Sequence, residues 1–161
     1  MSILPVKECL ERLNIFHSET TIGGHPAVVG YDKQFRWTWF ATQLNCFIFS
    51  VDVGERTIDV DSFESLLGES FEYAKSNYAG WPRGFQSALG VILLLIGDNI
   101  SQAARDYCVE LRPSKKWAGF SIPLAKSTSD GESYIFKQKP VWGRVYYGYF
   151  EQISHEILSA H

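Results

Sequence analysis

Long apolar runs, paired cysteines, a basic excess and the glycine-rich spacings of phosphate loops are all missing from this chain of 161 residues. Each absence closes a class of function. The apolar run Val91 to Ile96 stops at Gly97 and Asp98, far short of the roughly 20 residues that a bilayer-spanning helix needs. The opening MSILPVKECLERL carries Glu8 and Glu11 and no apolar run ahead of a small-residue cleavage site, so no signal peptide and no membrane partner are expected. Cys9, Cys46 and Cys108 are odd in number and lack Cys-x-x-Cys spacing. They read as reduced core thiols of a cytoplasmic protein. A net charge of -3 is not what a domain gripping phosphate backbones carries, and the short basic run Arg112, Lys115, Lys116 reads as a solvated turn. Nucleic acid is therefore not an expected partner.

The motifs of chemistry are also sparse. IGDNIS follows an apolar segment as a phosphate loop would, but it has one glycine, no Lys-Ser/Thr pair, and Asp98 where an anion would sit. His17 and His25 are separated by a loop, and His155 has no histidine partner at helical spacing. Ser50, Cys46 and Cys108 have no neighbouring base and no Gly-x-Ser-x-Gly elbow. No cofactor and no catalytic residue are expected.

What remains is a chain of the commonest domain size, 45% hydrophobic and 20% charged, with an aromatic share of 15%. That composition predicts one α+β domain over 1–161, with aromatic residues to spare for a subunit contact. Pro5, Val6, Cys9, Leu10 and Leu13 predict a first helix over 5–14. TIGGHP reads as flexible, and the β-branched and aromatic stretch from Ala27 to Val53 reads as an antiparallel meander broken at Tyr31-Asp32-Lys33 and again near 43–45. Within it, Phe35, Trp37 and Trp39 alternate with Arg36 and Thr38, which predicts one buried and one wetter strand face.

Asp61 followed by Glu64 fits a capping box for an amphipathic helix whose stripe is Phe63, Leu66, Leu67, Phe71 and Ala74. FQSALG reads as a turn or two of helix. Val91 to Ile96, apolar on both faces, predicts a central strand covered on two sides. Asn99 or Ser101 would cap the following helix, which Pro113 would end. TSDG predicts a hairpin in which Pro123 marks an edge strand. A long last helix carries Val145, Tyr146, Tyr149, Ile153 and Ile157 on its stripe, with Tyr147 and Phe150 off it. Such a helix wants a second partner. The expected architecture is a mixed sheet, combining an antiparallel meander, a central buried strand and a C-terminal hairpin, with four to five helices packed on it.

Two groups of residues are candidates for function. YAGWPRGF presents Trp81 and Arg83 on a Gly-Pro loop, and KPVWGRVYYGYF presents Trp142, Arg144 and Tyr147. Trp, Tyr and Arg anchor interfaces, and the two segments could meet across a dimer axis. The first expectation is thus a non-enzymatic binding module that forms homo-oligomers. The alternative is a metal-dependent hydrolase in which Asp52, Glu55 and Asp59 gather around a divalent cation.

The order helix, three-strand meander, helix, strand resembles the core of the restriction-endonuclease-like superfamily. That resemblance implies an Asp and an acidic-x-Lys on the second and third strands. Here Phe47, Ile48 and Phe49 stand on the third strand where charges would, and Lys33 falls in the predicted turn. The resemblance therefore implies a catalytically degenerate relative.

Overall fold

The computed structural model describes residues 3–39, 41–82, 87–111, 119–138 and 144–160. Helix α1, Leu4–Arg12, starts with proline in its first turn and buries Val6, Cys9 and Leu10. Strand β1, Phe16–Ile22, then pairs antiparallel with β2, His25–Arg36. TIGGHP is consequently not a loose connector. Gly23 and Gly24 both take positive φ, the two-residue hairpin geometry whose twist matches the flanking strands. Because β1 is the polar stretch FHSETTI, hydrophobic patterning does not announce it as a strand.

Strand β2 runs unbroken through Tyr31, Asp32 and Lys33, and β3, Thr42–Gly54, runs unbroken through 43–45. The predicted interruptions are absent because polar side chains there find partners within the fold. The real break is a single 3-10 turn, Trp37–Trp39, followed by Ala41 at positive φ. Helix α2, Val60–Asn77, buries the whole predicted stripe, but its cap is Asp59, not Asp61. The Asp59 carboxylate accepts from the Ser62 amide at 2.7 Å, and the Ser62 hydroxyl accepts from the Asp59 amide at 3.3 Å. Asp59 sits one residue before the helix with extended backbone, which is where a cap must be.

Strand β4, Ser87–Gly97, absorbs the SALG expected as helix. It pairs in parallel with β3 on one side and with β5, Phe120–Ser127, on the other. From Val91 to Ile96 every side chain is fully buried, as the sequence predicts for a central strand. Helix α3, Gln102–Glu110, is capped by the Ser101 hydroxyl, which accepts from the Ala104 amide at 3.1 Å. The predicted end at Pro113 lies outside the described residues. The Asp-Gly hairpin forms, though its second strand β6 is only Ser133–Tyr134 and pairs with Lys126 and Ala125 alone. At Pro123, β5 therefore has β4 as its described strand neighbour, consistent with the edge reading.

Helix α4, Arg144–Leu158, completes a single six-stranded mixed sheet in sequential order, with four described helices. The fold is α+β. One face carries α2 and α3 over Phe47, Phe49, Val51, Leu93 and Leu95. The other carries α1 and α4 over Leu44, Cys46, Ile48, Ile92 and Leu94. Tyr147 and Phe150 find their second partner inside the chain: Tyr147 packs on Phe120, Phe136 and Phe150. Val145, predicted on the stripe, faces solvent. No described helix is long and apolar enough to cross a membrane.

Candidate functional site

Strand alternation would send Phe35, Trp37 and Trp39 to one face. The chain instead leaves β2 after Arg36 and winds into the 3-10 turn, where residues two apart point about 240° apart around the axis. The two tryptophans therefore part company. Trp39 is 3% exposed, packed on Tyr146 and Tyr149 at 5.2 and 5.9 Å between ring centroids. Trp37 is 81% exposed. Its ring meets Phe35 edge-on at 5.3 Å, and Phe35 meets Trp81 at 5.6 Å. Phe35 and Trp81 are each 41% exposed. The three rings form a continuous aromatic platform on the surface, with the exposed Lys33 and Arg36 on the same strand end.

A buried polar network holds Trp81 in place. Asn45 is fully buried in β3. Its Oδ1 accepts from the Tyr31 hydroxyl at 2.7 Å, and its Nδ2 donates to Gln43 Oε1 and Tyr78 Oη, both at 3.1 Å, with Ser87 Oγ at 3.3 Å. These partners then grip the loop backbone. Tyr31 Oη accepts from the Ala79 amide at 3.1 Å, Gln43 Oε1 accepts from the Trp81 amide at 2.9 Å, and Tyr78 Oη donates to the Trp81 carbonyl at 2.5 Å. The Lys33 ammonium adds a bond to the Ala79 carbonyl at 3.1 Å. Gly80 lies directly over Asn45, where any Cβ would collide with the amide group. Burial raises the Tyr31 pKa, so its hydroxyl keeps the proton it donates.

The structure distributes the other predicted residues widely. Arg83 and Trp142 lie outside the described residues. Arg144 is exposed at the start of α4. Tyr147, expected to present itself at an interface, is 2% exposed and belongs to the core; burial pushes its hydroxyl up to about 12. Asp52 accepts from the Gly54 amide at 2.9 Å, and Asp59 is occupied with its helix cap. Glu55 is exposed, and its carbonyl accepts from Asn99 Nδ2 at 3.3 Å. Among the described residues no three His, Cys, Asp or Glu side chains group as metal ligands. Lys33 lies in β2 itself, not in a turn, and the residue opposite Asp32 on β3 is the buried thiol of Cys46.

Sequence reasoning finds Trp81 but misassigns Phe35 and Trp37, because over three residues strand alternation and a 3-10 turn look alike. Asn45 is missed for the opposite reason: a polar residue inside an apolar run reads as a break, whereas here it is the hub of the network. Comparison of the chain with protein-family models, with curated proteins and with solved structures returns no match.

Proposed function

We propose that this chain is a non-enzymatic binding module that associates with a second copy of itself through the platform of Phe35, Trp37 and Trp81. One observation carries the reading: Phe35 touches both Trp37 and Trp81, and the three rings are left at the surface beside a loop whose backbone polar groups are tied down. Aromatic anchors dominate interface energetics, and a surface held rigid before contact loses less entropy on association. Self-contact suits such a platform because two copies related by a twofold axis would stack like on like. Three free, buried cysteines support a reducing, cytoplasmic setting.

Sedimentation equilibrium over a dilution series tests the proposal. The chain is expected to show a reversible monomer-dimer equilibrium, and replacing Trp37 and Trp81 together by alanine is expected to weaken it at least about tenfold, since one lost hot spot is worth more than about 1.4 kcal/mol. A strict monomer at every concentration, or a dimer indifferent to both substitutions, overturns it.

A further inference from the structure

On the opposite face of β2 from Phe35, a cleft of about 230 Å³ opens between the strand end, α4 and the segment joining α1 to β1. Its floor is apolar, from Leu13, Ile15 and Ile153, and its rim is charged. The charges have an unusual arrangement. Asp32 accepts the Tyr149 hydroxyl at 2.6 Å, and both its oxygens lie 3.1 Å from Gln34 Nε2, yet no described cation lies within ion-pair distance. Burial, then the nearby Cys46 and Asp32, raises the Tyr149 pKa strongly, so the phenol stays a donor to the carboxylate. Arg36 lines the same cleft and lays its guanidinium over the Trp39 ring at 4.7 Å, also without a described carboxylate partner. Glu156, at the margin, is already neutralised by Arg12 at 3.5 Å.

One cleft thus holds one fixed anion and one fixed cation that do not meet. They sit on the same side of β2 four residues apart, about 13 Å along an extended strand. Each is kept in place by its own partner: Tyr149 and Gln34 hold the carboxylate, and the Trp39 face holds the guanidinium. A half-buried charge without a counter-charge is costly in free energy. That cost falls on Asp32, which is half-buried, whereas Arg36 is exposed; a ligand bearing both charges would supply the counter-charge Asp32 lacks while engaging the Arg36 guanidinium. The volume lies below the range of drug-sized sites, and the apolar floor suits a methylene chain.

The geometry points to a binding site for a small linear zwitterion, an ω-amino acid whose ammonium meets Asp32, whose carboxylate meets the Arg36 fork, and whose aliphatic linker lies on Ile153. Planar guanidinium engages carboxylate bidentately, which fixes the direction of entry. This site is separate from the aromatic platform and does not depend on self-association.

Isothermal titration calorimetry of the full chain with ε-aminocaproate tests it, with n-hexylamine and hexanoate as half-molecules that each carry one charge. Saturable one-to-one binding of the zwitterion is expected, with each half-molecule at least about tenfold weaker. Asp32→Asn and Arg36→Gln should each remove the zwitterion's advantage over the half-molecules. Arg36 is exposed, so R36Q leaves the fold intact and serves as the decisive variant should D32N disturb packing around Tyr149. No heat with ε-aminocaproate, equal binding of a half-molecule, or undiminished binding to R36Q overturns the assignment.

Discussion

The two ends of the sheet use hydrogen bonds for opposite purposes. At the carboxyl ends of β3, β4 and β5 the loops are stitched to one another. The Asp98 amide donates to the Gly54 carbonyl at 3.2 Å, the Thr128 amide to the Gly97 carbonyl at 3.0 Å, and the Thr128 hydroxyl to the Asp98 carboxylate. Beneath them Ile58 is fully buried. Ligand crevices in parallel sheets open where neighbouring connections leave on opposite faces. Here α2 and α3 pack on the same face, so the connections on either side of Gly97 and Asp98 do not diverge in that way. At the amino ends the hydrogen bonds run inward to Asn45, and large aromatic side chains are left outside. Satisfied backbone is common to both ends; what separates them is where the big apolar groups end up.

That contrast can be broken most forcefully at Trp39. Replacing this buried ring with alanine is expected to cost about 3–5 kcal/mol in urea unfolding, the ordinary range for a large aromatic removed from a core. A small effect would mean that the strand end is loosely built and that the exposure of Trp37 says nothing specific.

Asn45→Ala comes next. It strips Tyr31, Tyr78, Gln43 and Ser87 of a shared partner inside the protein, and buried polar groups left unmatched cost about 1–3 kcal/mol each. A loss of about 3 kcal/mol is expected by the same measurement, together with a change in tryptophan fluorescence as the Trp81 loop loosens. Equal destabilisation with unchanged fluorescence would show that the network supports the sheet and not the platform.

Asp59→Ala probes the scaffold end and should cost about 1 kcal/mol, as removal of a helix N-cap does. Its bonds from Ser62 hold the Asp59 carboxyl below its usual value of 3.8 in the folded chain. A folded-state pKa lower than the unfolded one gives stability that is present above the unfolded pKa and is lost as pH falls through the folded pKa. The difference between wild type and variant is therefore expected to be full at neutral pH and to vanish on acidification below that range. A difference independent of pH would reassign the effect to packing.

Much of this contrast is legible in the sequence at the scaffold end and little at the other. Val91 to Ile96 announces a buried strand because six consecutive apolar side chains admit few alternatives, and the Phe63 to Ala74 stripe fixes the burial of α2 by its period alone. The platform escapes such reasoning because it rests on long-range pairing. Gln43 and Asn45 look like turn residues until Tyr31 and Tyr78, 14 and 33 residues from Asn45, arrive to satisfy the asparagine. The cleft escapes for the same reason, since Asp32 and Tyr149 are 117 residues apart. Periodicity reports which face is wet, not which polar groups will find each other.

The smallest expected change in stability is also the most discriminating. Trp37→Ala removes as much apolar surface as Trp39→Ala, from a residue two positions away, but that surface is already in water. Surface substitutions of this kind shift stability by within about 0.5 kcal/mol, so the urea midpoint should hold while dimer dissociation rises. The comparison is internal: same residue type, same turn, same deletion, with only the direction of the side chain different. If Trp37→Ala unfolds the chain as Trp39→Ala does, the ring is part of the core in solution and the platform does not exist. If stability and association both stay at wild-type values, the ring is exposed without a partner of its own kind, and self-contact must be sought elsewhere on the surface.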